Sequence, residues 1–361
     1  MKVMILANFD GGLYKFRKEL VQELVKEHEV SICLPRGEYT DRLIEFGCQL
    51  IPCTLLDRRG KNPLQDLKLL SFYKQILKRE QPDIVLTYTI KPNVYGGMAC
   101  ASLGIPYIVN ITGLGSAVEN GGLLQKITLS LYKLGLRKAK MVFFQNLENQ
   151  QFMLKHGVVK GRYDLLPGSG VNLEQYKLLE YPKGDIVDFI FVARVMKEKG
   201  IDQYLDAAKY IRNKYPETRF HVCGFCEEDY KDTLKKLNDE GTIIYHGAVD
   251  NMIEIYRIAA CTVHPTYYPE GLSNVLLESA ASGRPIITTN RSGCREVIDE
   301  GVNGFLVKER DSKNLIEKLE KFLALSLKER EQMGIEGRRK VEREFDRRIV
   351  CEKYLLEMEQ R

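Results

Sequence analysis

Two cations in the second half of the chain have types and positions that suit the binding of an anionic ligand. Arg194 follows the apolar run 189–193, and Lys199 precedes Gly200 at the start of a helical pattern. Both cations therefore fall at the carboxyl end of a predicted parallel strand, the edge at which open α/β sheets bind ligands. Two fixed positive charges beside a helix N-terminus suit a diphosphate.

Two carboxylates follow in the segment 269–278. Gly271 and Ser273 are typical of a turn and a helix cap, so Glu270 is expected at the mouth of a helix and Glu278 two turns further along it. Either glutamate taken alone is best interpreted as a helix-start acid or a surface acid. The combination with the two cations makes this segment a candidate site.

The elements that position these residues follow from the hydrophobic pattern. Short apolar runs alternate with longer helical patterns along the whole chain, and the runs are apolar on both faces. This is typical of parallel strands covered by helices, and repeated strand–helix order predicts doubly wound α/β domains. Turn chemistry at 167–170 and 181–185 indicates a linker. We expect two such domains, 1–172 and 173–343, followed by a C-terminal segment 344–361.

Composition agrees with two globular domains. The 361 residues are 44% hydrophobic and 29% charged, which excludes a disordered or fibrous protein. No apolar run approaches the roughly 18 residues that a membrane span requires, and the N-terminal run is too short for a signal peptide. The nine cysteines are scattered and fit reduced thiols better than a disulfide framework. Cys223 and Cys226 form one Cys-x-x-Cys pair, a weak candidate for redox chemistry.

Charge is unevenly distributed between the two halves. Residues 1–172 carry 23 Lys and Arg against 15 Asp and Glu, whereas the remainder carries 31 against 34. A basic first half suggests an anionic partner, such as nucleic acid, an acidic membrane surface or a phosphorylated substrate. The stretches 64–79 and 123–140 combine cations with apolar residues at helical spacing. They are able to lie on an anionic bilayer or to pack on the sheet with solvated lysines.

Taken together, Arg194, Lys199, Glu270 and Glu278 resemble the donor site of family 4 glycosyltransferases of the GT-B fold. The similarity covers essentially the whole chain, and the further segments that carry it are 11–12, 91–92, 112–115, 168–172, 293–296 and 303–307. The sequence of 270–278 is similar to the corresponding motif of the bacterial subgroup that builds capsules, exopolysaccharides and lipid-linked oligosaccharides. That subgroup contains the N-acetylgalactosaminyltransferase of bacterial N-glycan assembly.

The resemblance implies roles for individual residues. Arg194 and Lys199 would hold the donor diphosphate and act in catalysis with Glu270, which would contact the donor sugar, while Glu278 would bind the ribose. The remaining donor-binding residues implied by the resemblance are Gly11, Gly12, Gly271, Leu272, Ser273 and Asn274. Acceptor contacts are expected from Lys91, Thr112 and Gly113. Many family members have a histidine where Thr112 and Gly113 stand, so no catalytic histidine is carried over.

The function that the resemblance implies is a retaining glycosyltransferase in the cytoplasm, associated peripherally with the inner face of the membrane. It would move a hexose or N-acetylhexosamine, with N-acetylgalactosamine as first choice, from a UDP-sugar to a polyprenyl-diphosphate-linked saccharide. The chain has no Asp-x-Asp, so no metal is expected. The resemblance implies neither another cofactor nor a nucleic acid partner. The last helix is expected to return to the first domain.

Two alternatives stay open at the level of sequence. A UDP-sugar epimerase of the same architecture would use the same crevice without an acceptor. It would need acid–base carboxylates from both domains, and Asp10 is the one evident candidate in the first domain. A binding protein without catalysis is the second alternative.

Overall fold

The structure is a computed structural model that describes residues 1–56, 62–115, 118, 121–226 and 229–360. The chain divides into two compact units. The first comprises Met1–Gly170, Pro269–Leu272 and Arg347–Arg361, and the second comprises Val171–Tyr268 and Ser273–Asp346. Pro269–Leu272, expected in the second domain, thus clusters with the first unit, and so does the last helix.

The first unit is built on a parallel sheet. Its elements in chain order are β1 Lys2–Leu6, α1 Asp10–Glu27, β2 Glu29–Leu34, α2 Thr40–Glu45, β3 Gln49–Pro52, α3 Pro63–Glu80, β4 Ile84–Tyr88, a π-helical turn Pro92–Gly96, α4 Gly97–Leu103, β5 Tyr107–Ile111, α5 Gly122–Leu136, β6 Met141–Phe144, α6 Leu147–Lys155 and β7 Tyr163–Leu165. The seven strands lie in the order β3-β2-β1-β4-β5-β6-β7. The strand order therefore reverses between β1 and β4.

The second unit repeats this architecture. Its elements are β8 Val187–Val192, a 3₁₀ turn Lys197–Lys199, α7 Ile201–Lys214, β9 Thr218–Cys223, α8 Lys231–Asp239, β10 Ile244–Gly247, α9 Met252–Ile258, β11 Cys261–His264, α10 Asn274–Ala281, β12 Ile286–Thr289, a 3₁₀ turn Arg295–Val297, β13 Gly304–Val307, α11 Ser312–Leu323 and α12 Leu327–Glu344. The order β10-β9-β8-β11-β12-β13 places the reversal between β8 and β11. The expected class, two doubly wound parallel-sheet domains, is confirmed.

Helices cover both faces of the first sheet, which explains why every residue of the central strands β4 and β5 is buried. Met4 and Leu6 of β1 face one cluster of buried side chains, and Val3 and Ile5 face the other. The last helix, α13 Arg347–Glu359, contributes Tyr354 to the second of these clusters.

Helix α3 buries only part of its apolar pattern. Leu69, Tyr73 and Leu77 lie in the core, whereas Leu64 and Leu67 are 69% and 62% exposed. The apolar residues near the start of this helix therefore face solvent.

Helix α5 also turns apolar residues outward. The residues that this helix buries are Thr128, Leu129, Tyr132, Gly135 and Leu136. A Cβ on Gly135 would stand 2.7 Å from Val94 Cα, so the missing side chain lets the helix approach the π-helical turn closely. Leu123 is 74% and Ile127 49% exposed. Within the described part of the chain, no helix combines the length and apolarity needed to cross a membrane.

One acidic group is buried in the second sheet, near the amino end of β8. Asp188 accepts hydrogen bonds of 2.6 and 2.8 Å from the Arg219 guanidinium, and its Oδ1 lies 2.8 Å from His221 Nε2. His221 Nδ1 lies 2.9 Å from His246 Nε2. Burial acts to raise the pKa of Asp188, but the hydrogen bonds from His221 and Arg219 outweigh it and hold that pKa below its ordinary value.

Candidate active site

The carboxyl edge of the second sheet brings Arg194 and Lys199 together against one aromatic ring. Arg194 Cζ lies 5.4 Å and Lys199 Nζ 4.7 Å from the centroid of the Tyr268 ring. Cations within about 6 Å of a ring face are attracted by its quadrupole. The ring therefore offers both cations a shared contact, and Lys199 is 8% exposed.

The turn that carries Lys199 is fixed by backbone contacts. Gly200, at φ +78°, ends the 3₁₀ turn, and a Cβ there would overlap the Pro265 carbonyl. The Glu198 carbonyl accepts hydrogen bonds from the Tyr267 N–H at 2.8 Å and the Thr266 hydroxyl at 3.3 Å. The turn after β8 and the segment after β11 are thus joined, which fixes the cations relative to the ring.

Helix α10 positions the expected ribose-binding glutamate. Ser273 stands at its N-cap, but its hydroxyl makes no capping bond; its N–H donates to the Gly293 carbonyl at 2.8 Å. Glu278 lies within the helix, as expected, and its carboxylate accepts a hydrogen bond of 3.3 Å from the Tyr256 hydroxyl. Burial and, to a lesser extent, the Glu278 charge raise the pKa of Tyr256 well above its ordinary value. The phenol therefore stays protonated and serves as a donor to Glu278.

In the first unit, Gly11 and Gly12 lie in the first turn of α1, and the neighbouring Asp10 has a structural role. The Asp10 carboxylate is 2% exposed and accepts hydrogen bonds from the Gly11 N–H at 2.7 Å, the Tyr39 N–H at 2.7 Å and the Thr40 hydroxyl at 3.0 Å. These three hydrogen bonds occupy both oxygens of the carboxylate. Such a group joins two loops and is poorly suited to the acid–base role that an epimerase would require.

Lys91, an expected acceptor contact, lies between β4 and the π-helical turn. Its Nζ is 2.9 Å from Asp66 Oδ1, and both side chains are 18% exposed. The Tyr95 hydroxyl donates to the same carboxylate at 2.9 Å. The Lys91 charge is therefore balanced by a half-buried acid.

The segment Pro269–Leu272, which carries Glu270, packs against loops of the first unit. The Glu270 and Gly271 carbonyls accept hydrogen bonds of 3.2 and 2.6 Å from Asn146 Nδ2. A Cβ on Gly271 would overlap the Thr112 carbonyl, and Gly113, at φ +152°, lies close enough that its Cβ would be 3.5 Å from the Gly271 nitrogen. Thr112 and Gly113 thus contact the backbone of this segment.

Leu272 anchors the other end of the segment. It is 5% exposed, and a Cβ on Gly168, at φ +63°, would stand 2.7 Å from Leu272 Cβ. Glycine at 168 therefore serves a close approach, and the Leu272 side chain is part of the packing.

The expected site residues fall into two groups. The second unit carries Arg194, Lys199, Ser273, Asn274 and Glu278. The first unit carries the others, namely Gly11, Gly12, Lys91, Thr112, Gly113, Glu270, Gly271 and Leu272.

Sequence reasoning missed Tyr268 and Asn146. Asn146 follows a buried strand and precedes a helical pattern, which is an N-cap signature. Its hydrogen bond to the Gly271 carbonyl has no such local signal, because that residue lies 125 positions further along the chain. For Tyr268, the signal in the sequence was limited to an aromatic residue close to Glu270.

The Cys-x-x-Cys pair has a packing explanation. A Cβ on Gly224, at φ +149°, would overlap the Ala193 carbonyl, so the glycine is required where the chain passes the end of β8. Burial raises the pKa of Cys223 to about 12. The reactive thiolate is therefore disfavoured, and the structure gives no support to redox chemistry. Among the residues described, no group of three His, Cys, Asp or Glu is arranged to hold a metal ion.

Comparisons with known proteins cover both halves of the chain. Residues 2–146 match the family described as "Glycosyl transferase 4-like", and residues 180–340 match "Glycosyl transferases group 1". These comparisons give no support to the epimerase alternative.

Two curated relatives are similar over most of their length. The chain is 26% identical to the Campylobacter jejuni N,N'-diacetylbacillosaminyl-diphospho-undecaprenol alpha-1,3-N-acetylgalactosaminyltransferase, over 98% of this chain and 97% of that protein. It is 27% identical to the Escherichia coli UDP-Gal:alpha-D-GlcNAc-diphosphoundecaprenol alpha-1,3-galactosyltransferase, over 80% of this chain and 78% of that protein.

Solved structures share the fold. A glycosyltransferase from Rickettsia africae superposes with a TM-score of 0.80 at 17% identity, covering 99% of this chain and 97% of that one. The Anabaena protein HepE, in complex with UDP and glucose, gives a TM-score of 0.79 at 17% identity, covering 99% and 98%. The GT-B architecture expected from the sequence is thereby confirmed.

Proposed function

Since the chain is a glycosyltransferase that belongs to the families described by these two family models, we propose that it transfers one sugar from a UDP-sugar to a polyprenyl-diphosphate-linked saccharide. The proposed sugar is a hexose or N-acetylhexosamine, with N-acetylgalactosamine as first choice. The names of the Campylobacter and Escherichia relatives support both the lipid-linked acceptor and the class of sugar.

One observation carries the donor half of this proposal. Arg194 and Lys199 lie against the same Tyr268 ring at the carboxyl edge of the second sheet. Cleavage of a sugar–phosphate bond leaves negative charge on the departing diphosphate. Preorganised cations at that position lower the barrier, and one such donor is worth on the order of 10²–10³ in rate. Arg194 and Lys199 are the groups proposed to do so.

The chemical step transfers the sugar with retention. The acceptor hydroxyl forms a bond to the anomeric carbon on the face from which UDP departs, the bond to the diphosphate oxygen breaks, and the acceptor proton passes to a donor phosphate oxygen. The names of both relatives specify an α linkage, which matches retention from an α-linked UDP-sugar. Because Arg194 and Lys199 neutralise the diphosphate, the reaction proposed here is independent of metal.

The two glutamates have different proposed roles. Glu278, oriented by the Tyr256 hydroxyl, binds the ribose hydroxyls of the donor. Glu270 lies beside the sugar and stabilises the positive charge that develops there during bond cleavage. A ribose contact is made equally in the ground and transition states, whereas a contact with developing charge is made only in the transition state.

The acceptor half of the proposal rests on the first unit. Its Lys91, Thr112 and Gly113 are the proposed acceptor contacts, with Lys91 able to exchange its bond with Asp66 for one with an acceptor phosphate. The excess of basic residues in 1–172 is favourable for an anionic lipid-linked substrate.

The outer helices of the same unit are proposed to rest on an anionic membrane surface. Leu64 and Leu67 of α3 and Leu123 and Ile127 of α5 are exposed, and both helices carry lysines. Apolar residues next to cations are the composition that binds at an anionic bilayer interface without spanning it. This surface would keep the enzyme at the inner face of the membrane, where lipid-linked saccharides are assembled.

The direct test incubates the enzyme with a panel of nucleotide sugars and a polyprenyl-diphosphate-linked saccharide, with analysis by mass spectrometry. We expect one UDP-sugar to yield UDP and an acceptor heavier by one sugar residue, and equal product in the presence of EDTA. An isomerised nucleotide sugar without UDP release would contradict transfer. Loss of product in EDTA, restored by magnesium or manganese, would contradict metal independence alone.

A further inference from the structure

Asn146 combines two roles at the carboxyl end of β6. It is the N-cap of α6, and its Oδ1 accepts a hydrogen bond of 2.8 Å from the Asn149 N–H. Its Nδ2 donates to the carbonyls of Glu270 and Gly271, at 3.2 and 2.6 Å. One side chain therefore connects a helix start with the backbone of the segment that carries Glu270.

The contacts fix the orientation of this amide. The helix N–H requires an acceptor and the two carbonyls require a donor, so only one assignment of oxygen and nitrogen satisfies all three partners. Asn146 is 3% exposed, and hydrogen bonds removed from water resist exchange with solvent. The two carbonyls are consequently held at defined positions.

Asn146 lies beside further buried amides, Gln145 and Asn110. The neighbouring Gln145 donates from Nε2 to Asn110 Oδ1 at 3.3 Å, and Asn110 Nδ2 donates to the Tyr354 hydroxyl at 2.7 Å. A Cβ on Gly271 would lie only 2.5 Å from Gln145 Oε1. The Glu270 backbone therefore rests on a buried network of neutral amides.

We propose that Asn146 is a positioning residue for transfer: it fixes the backbone of Glu270 and Gly271 and thereby places the Glu270 carboxylate. This inference rests on the proposed function, because it presumes that Glu270 acts on the transferred sugar. A displacement of about 1 Å in a group that must meet developing charge is sufficient to cost a large factor in rate.

Asn146→Ser tests this proposal, since serine retains an N-cap oxygen but has no amide donor. With the donor that the sugar panel identifies, we expect kcat to fall about 10-fold while the donor KM changes less than about 2-fold. Hydrogen–deuterium exchange of a peptide covering 266–275 is expected to become faster. The matched control is Asn62→Ser, because Asn62 caps α3 through the Leu64 N–H and is exposed; its kcat should equal that of the wild type.

A double-mutant cycle separates positioning from general stability. In a Glu270→Gln background, Asn146→Ser should lower kcat by less than about 2-fold, because the carboxylate that it positions is already gone. The full 10-fold loss in that background, or unchanged exchange in 266–275, would overturn the proposal. If Asn146→Ser does not fold, Asn146→Asp keeps the cap and the shape but turns an acceptor toward the two carbonyls, and the same cycle is expected.

The two possible failures are distinguishable. If Glu270→Gln alone retains the wild-type kcat, the role of Glu270 in the proposed function is wrong, and the inference falls with it. If Glu270→Gln lowers kcat but Asn146→Ser does not, the proposed function stands and only the role of Asn146 is wrong.

Discussion

The carboxyl edges of the two sheets are chemically different although the sheets share one architecture. The edge of the second sheet carries two cations against an aromatic ring, with Glu278 on the adjacent helix. At the ends of β5 and β6, the edge of the first sheet carries neutral amides, Asn110, Gln145 and Asn146, which bond to one another or to backbone carbonyls. The first arrangement is suited to binding charge, and the second to fixing a backbone.

Under the proposed function, the charge at the second edge is useful because negative charge develops there on the departing diphosphate. A neutral network, by contrast, is buried at much lower cost than charged groups. In the first unit, helices α3 and α5 carry cations beside exposed leucines. The predictions that follow test this division, beginning with the largest expected effect.

Removing either cation of the second edge should have the largest effect on turnover. Arg194→Ala and Lys199→Ala should each lower kcat about 100-fold or more at saturating donor, because each removes a fixed charge from the leaving group. Steady-state UDP release measures this. Lys197→Ala is the matched control, since Lys197 lies in the same 3₁₀ turn but is exposed. Near-wild-type rates for both site variants would show that the diphosphate binds elsewhere.

Removing cations from the outer helices should act on membrane binding. Each surface cation near an anionic bilayer contributes roughly 1 kcal/mol, so changing Lys133, Arg137 and Lys138 to Gln should weaken partitioning onto anionic vesicles by up to about 100-fold. Lys140 is left unchanged because its ammonium donates to the Gln360 carbonyl. Sedimentation with vesicles at rising salt measures the effect.

The matched control for membrane binding lies in the second unit. Changing Lys231, Lys235 and Lys236 to Gln removes the same charge from exposed positions of α8 and should leave sedimentation unchanged. Leu123→Gln and Ile127→Gln should weaken binding at high salt, where apolar contacts remain. Equal binding to neutral and anionic vesicles, or equal losses in both triple variants, would contradict a basic docking surface on the first unit.

The two glutamates should separate kinetically. Glu270→Gln should lower kcat about 10-fold or more with little change in donor KM, whereas Glu278→Gln should raise donor KM about 10-fold with little change in kcat. Initial rates over a range of donor concentration distinguish the two. If both variants changed only KM, Glu270 would be a binding residue and the neutral network would position a binding group.

The Tyr268 ring should contribute a smaller effect through the cations. Tyr268→Leu removes the surface that Arg194 and Lys199 share, and we expect a rise of about 5-fold in donor KM. Tyr268→Phe keeps the ring and should behave like the wild type. Tyr210→Leu is the control, because the Tyr210 ring is exposed and forms a cation–π pair with a surface lysine, Lys214, at 6.0 Å. If Tyr268→Leu and Tyr268→Phe raised the donor KM equally, the hydroxyl and not the ring would be responsible for the effect.

The free energy of unfolding should depend weakly on pH through the ionic cluster of the second unit, which consists of Asp188, Arg219, His221 and His246. Burial and the neighbouring His221 lower the pKa of His246 below its ordinary value of 6.5. Above pH 6.5 the ring is neutral in the folded and unfolded chains. As pH falls below 6.5 the unfolded chain takes up the proton first, so stability is lost. The lowered pKa of Asp188 acts in the same direction, but only below about pH 4.

The measurement is Tm between pH 7 and pH 5. His246→Gln should reduce the fall in Tm by about 1–2 °C, while His156→Gln, in the first unit, should leave it unchanged. A fall that His246→Gln does not alter would mean that the acid sensitivity arises outside this cluster.

The sequence by itself determined the fold class and the elements on which Arg194, Lys199 and Glu278 of the candidate site lie. Alternation of apolar runs with helical patterns specifies parallel sheets wherever both faces of a strand must be covered. Arg194 and Lys199 follow directly from one strand end, and Glu278 lies within one helix, so local order was sufficient to place each of them on an element. The excess of positive charge in 1–172 was likewise a matter of composition.

Only the tertiary structure decided how the neutral parts are arranged. Nothing local indicates that Asn146 bonds to a carbonyl 125 residues later, or that Gly113, Gly168 and Gly271 permit close backbone approach rather than only ligand contact. Helical periodicity likewise identified an apolar stripe on α5 but not the side that packs, because Gly135 brings the helix onto the π-helical turn through its small residues and turns Leu123 and Ile127 outward. Contacts of this kind depend on which distant segment fills a space, and that is a property of the folded chain and not of its local pattern.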